Sequence, residues 1–206
     1  MKTIKSKLII FIFIPFFAIQ SCAGMKSTVL SKKSTQPTNN PAKDTAKASV
    51  KAQAKLENQA RKLMEAGEYQ KAIDIYSTEC RQQPQNLQIM KEYSSGLDGI
   101  KASADKALEN KDFAYAGRLY YLLRNNCAKF SGVEHMISFG SAYLDTNLAK
   151  CKKSLSVKGF EEYRKGDINK ALSLWHSVLA IDPNDKSIKE AVRTAELQRK
   201  NLQEAK

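Results

Sequence analysis

The sequence predicts an all-α fold for the part of the chain that follows residue 50. Three observations indicate this class. Apolar residues recur at three- and four-residue steps through most of residues 51–206, a spacing that gathers side chains on one face of a helix. Alternating runs of β-branched residues, which strands need, are few. Turn signals such as Gly166-Asp167 separate the apolar runs, because glycine suits the left-handed residue that ends a helix and aspartate can cap the next one.

The first residues have the pattern of an export signal. Basic residues precede an apolar run over residues 8–19, which is too short to be a comfortable membrane span. The run ends in Ile19-Gln20-Ser21-Cys22, which resembles the lipobox of bacterial lipoproteins, whose cysteine is lipidated and becomes the first residue. The resemblance implies a signal peptide over residues 1–21 and a lipid anchor on Cys22. The alternative is an ordinary secretory signal or an uncleaved anchor.

The residues after Cys22 indicate which membrane holds the anchor and how the folded part is attached to it. Ala23 and Gly24 follow the cysteine, without an aspartate at the second position. By resemblance to Gram-negative lipoproteins, this implies an outer-membrane anchor and a protein that faces the periplasm. Residues 22–50 are rich in Ser, Thr, Lys, Pro and Asn and hold almost no large apolar residue, so they cannot bury enough surface to fold. We expect a disordered tether there.

Residues 51–185 contain three partial copies of one pattern. Each copy has a turn, then an aromatic or aliphatic residue, an alanine three positions later and an aromatic residue four positions beyond that, which is the signature of a repeat. Lys111 stands where the second copy should have a turn glycine like Gly67 and Gly166. The copies hold Tyr69, Ala72 and Tyr76; Phe113, Ala116 and Tyr120; and Ile168, Ala171 and Trp175.

This pattern resembles the tetratricopeptide repeat, a pair of antiparallel helices that touch through small residues. The resemblance implies a short helical solenoid of about three divergent units over residues 51–185. It also implies that the three alanines lie where the second helix presses on the first, that Gly159 takes the small position of a first helix, and that Pro84 and Pro183 close their units. Tyr76, Tyr120 and Trp175 would pack between neighbouring pairs.

The spacing of the units departs from that family. The turns are 44 residues (Gly67 to Lys111) and 55 residues (Lys111 to Gly166) apart rather than about 34. Either longer first helices or extra inserted turns explain this, and residues 87–108 and 133–148 can each form one long helix. Cys127 and Cys151 flank the second of these, and both a disulfide and free thiols are compatible with the sequence. Cys80 lies on an apolar stripe, as a buried thiol does.

Residues 186–206 predict a C-terminal capping helix. Apolar residues from Ile188 to Leu202 lie along one face, with charged residues elsewhere, as a solenoid requires of its last element. A free amphipathic helix on lipid is the less favoured alternative, because most of this apolar face is small.

The composition excludes several function classes. The formal net charge is +13, but the excess lies in the tether and the last helix, while residues 51–185 are close to neutral, so no groove is basic enough to follow a nucleic-acid backbone. HExxH, nucleophile-elbow and phosphate-loop motifs are absent from the sequence. His135 and His176 are the only histidines, and neither has a second ligand at metal spacing. We expect no cofactor, no metal and no enzymatic activity.

A protein-binding function remains, and the repeat resemblance implies where the binding site lies. Small repeat lipoproteins that this chain resembles act as accessory subunits of outer-membrane, secretion, pilus and cell-wall machinery. The alternatives are a solvated surface at the same positions, or binding of an anionic envelope polymer or lipid by the basic tether and terminal helix. By the family's pattern, the partner-binding residues are Arg61 and Met64 in the first unit, Lys101 and Asp105 in the second, and Phe160, Tyr163 and Arg164 in the third.

Overall fold

A computed structural model describes residues 54–205. The all-α prediction is confirmed, since the described residues form helices and turns and no strand. The predicted signal peptide (1–21), Cys22 and the predicted tether (22–50) lie outside the described residues. Among residues 54–205, no helix has both the length and the apolar character that crossing a membrane requires.

Seven α-helices follow one another in the described part of the chain. The described part of α1 covers residues 54–65. A short 3-10 helix, Cys127–Phe130, lies between α4 and α5. The other helices are α2 (Tyr69–Gln82), α3 (Leu87–Glu109), α4 (Phe113–Asn125), α5 (Ser141–Arg164), α6 (Ile168–Ile181) and α7 (Lys186–Glu204).

Turns of one kind join α1 to α2, α3 to α4 and α5 to α6. In each turn one residue is left-handed, with φ of 76° at Gly67, 62° at Lys111 and 84° at Gly166. The N–H of the following residue donates to a carbonyl five positions back, at 2.9, 2.9 and 3.0 Å respectively. This bond satisfies a carbonyl that the helix end leaves free. Lys111 therefore takes a glycine's place in the second turn.

The turns that contain proline have a second common form. Helix α2 ends at Gln82 and α6 at Ile181, each two residues before a proline, as the sequence predicts. After each proline, a side chain caps the next helix. Asn86 accepts from the N–H groups of Gln88 and Ile89, both at 3.2 Å, and Asp185 accepts from the N–H of Ile188 at 3.1 Å.

Small residues let the helices of a pair touch. Ala72, Ala116 and Ala171 are all fully buried. A Cβ added to Gly159 of α5 would lie 2.4 Å from Nε1 of Trp175, so the indole rests directly on the α5 backbone. Of the residues that the spacing places on the buried face of α6, Leu179 is half-buried. The others are buried: Ile168, Ala171, Leu172, Trp175 and Val178.

The connection between α4 and α5 differs from the prediction. A helix over residues 133–148 is wrong, because the chain forms turns until residue 138 and α5 begins at Ser141. Long-range contacts hold these turns. The side chains of Asn126 and Gln70 bond to each other at 2.9 and 3.0 Å, and the hydroxyl of Tyr93 donates to the carbonyl of Lys129 at 3.2 Å. Phe130, Val133 and Phe139 still enter the core, but from the 3-10 helix and the irregular connection after it.

The three cysteines among the described residues are free thiols. Cys127 is half-buried, whereas Cys80 and Cys151 are buried. Burial raises the pKa of the Cys80 and Cys151 thiols to about 11, which leaves them protonated at neutral pH.

Helix α7 covers the end of α6 only in part. It buries Ile188, Val192 and Ala195, as the sequence predicts. Leu202, on the same predicted face, is 52% exposed, and Leu197 is 61% exposed. The contact between α7 and the core therefore ends before the last two turns of the helix.

Replacing Lys111 with glycine is expected to stabilise the protein. Left-handed geometry costs a residue with a Cβ about 1–2 kcal/mol, and the greater chain entropy of glycine offsets about 0.5–1 kcal/mol of the gain. Lys111→Gly should therefore raise the free energy of unfolding by about 0.5–1 kcal/mol, measured by urea denaturation. Lys111→Ala, which keeps the Cβ, is the matched control. Equal stability of the two variants would show that the turn carries no strain.

Candidate functional site

Two open grooves lie between non-consecutive helices of the described structure. The first groove, about 420 Å³, lies between α1 and α3 and has Tyr76 of α2 at its floor. The other lies at the third repeat unit, and we therefore call it the third groove. It has a volume of about 300 Å³, lies between α5 and α7 and has Trp175 of α6 at its floor. Each groove thus lies over the aromatic residue that the repeat pattern predicted to pack between helix pairs.

The two grooves are built from corresponding positions of the sequence. Their turns, Gly67 and Gly166, are 99 residues apart, and the residues that line the two grooves match at the same offset. The matching pairs are Arg61 and Phe160, Met64 and Tyr163, Tyr76 and Trp175, Gln88 and Ser187, Lys91 and Glu190, Glu92 and Ala191, and Ser95 and Thr194.

An ion pair spans the first groove. Nη2 of Arg61 contacts both carboxylate oxygens of Glu92, at 2.9 and 3.1 Å, and the amide of Gln88 donates to the same carboxylate at 2.8 Å. Burial disfavours ionisation of Glu92, but the hydrogen bonds from Gln88 and Arg61 outweigh it and hold the carboxyl pKa below its usual value. Met64 packs against α3, where a Cβ on Gly96 would lie 2.8 Å from its Cε.

The corresponding position between α3 and α5 is filled by side chains of the chain itself. Lys101, Asp105, Tyr120 and Tyr143 form what we call the central cluster. The carboxylate of Asp105 accepts from the hydroxyls of Tyr120 at 2.5 Å and Tyr143 at 2.6 Å, and pairs with the Lys101 ammonium at 2.9 Å. The Tyr143 ring meets the Tyr120 ring edge-on, with centroids 6.3 Å apart. Both residues predicted to bind a partner in the second unit are therefore engaged internally.

The third groove is open and aromatic. The rings of Phe160 and Tyr163 lie 5.0 and 5.6 Å from the Trp175 ring. Trp175 is 1% exposed, whereas Phe160 is 42% exposed. The hydroxyl of Tyr163 donates to Oε1 of Gln198 at 2.6 Å, which links α5 to α7. Arg164 is exposed at the end of α5. The three residues predicted for this unit are thus brought together at one surface.

Gly159 fixes the floor of the third groove. Because the indole of Trp175 lies against the α5 backbone, its N–H has no hydrogen-bond acceptor among the described residues. The missing bond has a cost, which the packing of the large ring offsets. Trp175 therefore acts as a fixed apolar surface beneath Phe160 and Tyr163.

Several residues that shape these sites were not predicted. Glu92, Tyr143, Gln88 and Ser187 lie on the helix after the repeat unit that they complete, so matching single units does not find them. The signal that identifies them is the offset between turns. The 99 residues between the first and third turns, carried forward into the following helix, relate Gln88 to Ser187, and the 55 residues between the second and third turns, carried back into the preceding helix, relate Gln88 to Tyr143.

We next consider metal-ligating side chains and histidine among the described residues. In residues 54–205 no group of three or more His, Cys, Asp or Glu side chains converges as a metal site. His176 lies 4.0 Å from Glu196 on the surface. The first groove is polar and spanned by an ion pair, and the third groove is aromatic and open.

Comparison with known proteins identifies no relative. No protein-family model matches the chain, and neither a curated protein nor a solved structure matches it.

Asp105→Asn is expected to lower stability in a pH-dependent way. Burial disfavours the ionised form of Asp105, yet the hydrogen bonds from Tyr120, Tyr143 and Lys101 hold its pKa below the usual value. Its contribution is therefore complete above the unfolded pKa of about 3.9 and is lost as the pH falls through the lower folded value. Asp105→Asn should cost about 1–2 kcal/mol at neutral pH, and the difference from wild type should shrink below about pH 4.

Urea denaturation across this pH range measures the effect. Tyr143→Phe is the matched control, because it keeps the ring and removes one of the two hydroxyl donors to Asp105, so its pH dependence should be intermediate. A stability difference that stays constant with pH would contradict the assignment.

Proposed function

We propose that this chain is a non-catalytic, lipid-anchored scaffold of the bacterial cell envelope that binds a segment of a partner protein. The partner belongs to an envelope assembly such as outer-membrane, secretion, pilus or cell-wall machinery. The observation that carries the proposal is the open third groove, where Phe160 is exposed beside the buried Trp175. A large aromatic side chain exposed at a concave surface is typical of a site for another protein.

The helix pairs support a tetratricopeptide-like scaffold. Three turns of one form, three fully buried alanines and aromatic residues beneath the grooves recur at related positions. Repeats of this kind present concave surfaces between successive first helices. The divergent spacing of the units is accommodated by the long helices α3 and α5 and by the connection before α5.

The envelope location rests on the N-terminal sequence. The basic and apolar run followed by Ile19-Gln20-Ser21-Cys22 supports lipidation at Cys22 and a periplasmic, outer-membrane protein. The polar residues 22–50 would separate the helices from the membrane. About 28 residues at about 3.4 Å each reach at most about 95 Å, which is far enough for the helices to meet a partner assembly away from the lipid surface.

Loss of the third groove is expected to abolish partner binding. Phe160→Ala removes the exposed ring and Arg164→Glu reverses the nearby charge, so the double variant should lose co-purification of an envelope partner after crosslinking in intact cells, as measured by mass spectrometry. Circular dichroism should show unchanged helicity.

A matched control exists on α4. Tyr115 is also an exposed aromatic residue, and the Arg118 guanidinium lies 5.7 Å from its ring, so Tyr115→Ala with Arg118→Glu removes the same chemistry elsewhere. This variant should keep the partner. Unchanged co-purification in the Phe160 and Arg164 variant would count against the proposed site.

Cys22→Ser is expected to release the protein from the membrane. Serine cannot form the thioether that carries the lipid, and two or more acyl chains are needed for stable anchoring. Fractionation of cells should therefore find the variant in the soluble periplasm and the wild type in the membrane. Membrane retention of the variant would show that the lipoprotein assignment is wrong.

A further inference from the structure

The central cluster shows what fits between successive first helices. Tyr143 projects from α5 over Tyr120, with ring centroids 6.3 Å apart, and its hydroxyl reaches Asp105 at 2.6 Å. An aromatic side chain supplied by the chain itself thus fills the space above the floor residue. The structure therefore contains its own example of an occupied groove.

In the third groove, the position that corresponds to Tyr143 carries no aromatic ring. Tyr143 precedes the left-handed Gly166 by 23 positions, and Gln88 precedes the left-handed Lys111 by the same number. Gln88 and Ser187 in turn each lie two positions after the residue that caps their helix. Ser187 therefore stands where Tyr143 stands in the central cluster, and the space above Trp175 is left open.

The walls of the third groove select for an apolar ring. The counterpart of Asp105 is Phe160, at the 55-residue offset between the second and third turns. The counterpart of Glu92 is Ala191. A tyrosine hydroxyl would therefore lose the carboxylate that Tyr143 uses, whereas a phenylalanine ring would meet Phe160, Tyr163 and Trp175 edge-on or offset, the arrangements that aromatic pairs prefer. A volume of about 300 Å³ lies at the lower end of the range for ligand pockets and has room for one aromatic side chain.

Four basic residues lie on the helix faces that border this groove. Lys153 and Arg164 lie on the same side of α5 as Phe160, and Lys186 and Arg193 lie on the same side of α7 as Glu190, because residues three, four or seven apart share a helix face. All are exposed. The four basic side chains have no ion pair or hydrogen bond within residues 54–205. We call these four residues the basic rim. Three exposed acidic residues accompany it: Glu190, Glu161, which lies three positions before Arg164, and Glu196, which lies three positions after Arg193.

We propose that the third groove receives a phenylalanine side chain of the partner polypeptide, and that acidic residues on either side of this phenylalanine contact the basic rim. This inference rests on the proposed scaffold function and names the chemistry of its partner. The ring supplies the buried anchor, and the carboxylates supply orientation and faster association.

Trp175 makes the test direct, because it is the only tryptophan of the chain and forms the floor of the groove. The full chain is purified in detergent and titrated with an acetylated peptide in which one phenylalanine stands among aspartate, glycine and serine residues. Tryptophan emission should change on binding. Replacing the peptide's phenylalanine with alanine should weaken binding at least about tenfold, and added sodium chloride should weaken it further.

A variant that fills the groove supplies the structural control. Ser187→Phe places a ring where Tyr143 lies in the central cluster and should abolish the emission change. Gln88→Phe adds the same ring to the first groove and should leave it intact. Ser187→Ala separates the effect of the ring from the loss of the Ser187 hydrogen bond to Asp185. If Ser187→Phe fails to fold, Lys153→Glu with Arg164→Glu should weaken binding at least about tenfold.

Two results would overturn the inference. Equal binding of the alanine peptide would reduce the site to a basic patch for any polyanion, and an unchanged response in Ser187→Phe would place the peptide elsewhere. Failure here is distinct from failure of the proposed function. Loss of the cellular partner in the Phe160 and Arg164 variant, without binding of the phenylalanine peptide, leaves the scaffold function standing and removes only this partner chemistry. Peptide binding without any crosslinked envelope partner would leave the phenylalanine site standing and remove the proposed scaffold function.

Discussion

The contact between Trp175 and Gly159 is the constraint on which the third groove depends. Helices separated by ordinary side chains lie about 8–10 Å apart, and the distance depends on the residues at the contact. A Cβ at Gly159 would lie 2.4 Å from the indole, so only glycine lets α6 lie this close to α5. Gly117 has the same role on α4, where a Cβ would lie 2.3 Å from Cδ1 of Ile181. These two approaches fix α6, and with it the floor of the groove.

The repeat positions share a backbone form but serve different purposes. The Arg61–Glu92 pair in the first groove is half exposed on the arginine side, and such pairs contribute at most about 1 kcal/mol. In the central cluster, one carboxylate accepts from two hydroxyls and an ammonium, and charge-assisted hydrogen bonds of this kind are about twice as strong as neutral ones. Corresponding positions thus carry a weak ion pair in the first groove and a stronger, hydrogen-bonded carboxylate in the central cluster.

The sequence predicts those features that depend on neighbouring residues. Gly166-Asp167 and Pro183 mark helix ends because capping and proline geometry act within one turn, and the spacing of apolar residues along α6 identifies its buried face. The pattern before α5 wrongly predicts a helix because the turns there are held by contacts such as that of Asn126 with Gln70, 56 residues away, and no local pattern records that contact. The internal bonds of Asp105 are not predicted for the same reason, since its hydrogen-bond donor Tyr143 lies 38 residues along the chain.

The third groove combines two kinds of recognition that are weak separately. The basic rim alone attracts any polyanion and loses its effect as salt shortens the range of the charges. An apolar groove of about 300 Å³ alone buries one side chain, which rarely outweighs the entropy lost on association. Placed at one surface, the rim orients an acidic segment and the floor selects its aromatic residue. In the proposed interaction, affinity then depends on both features in one segment, so the groove would discriminate such a segment from other acidic chains.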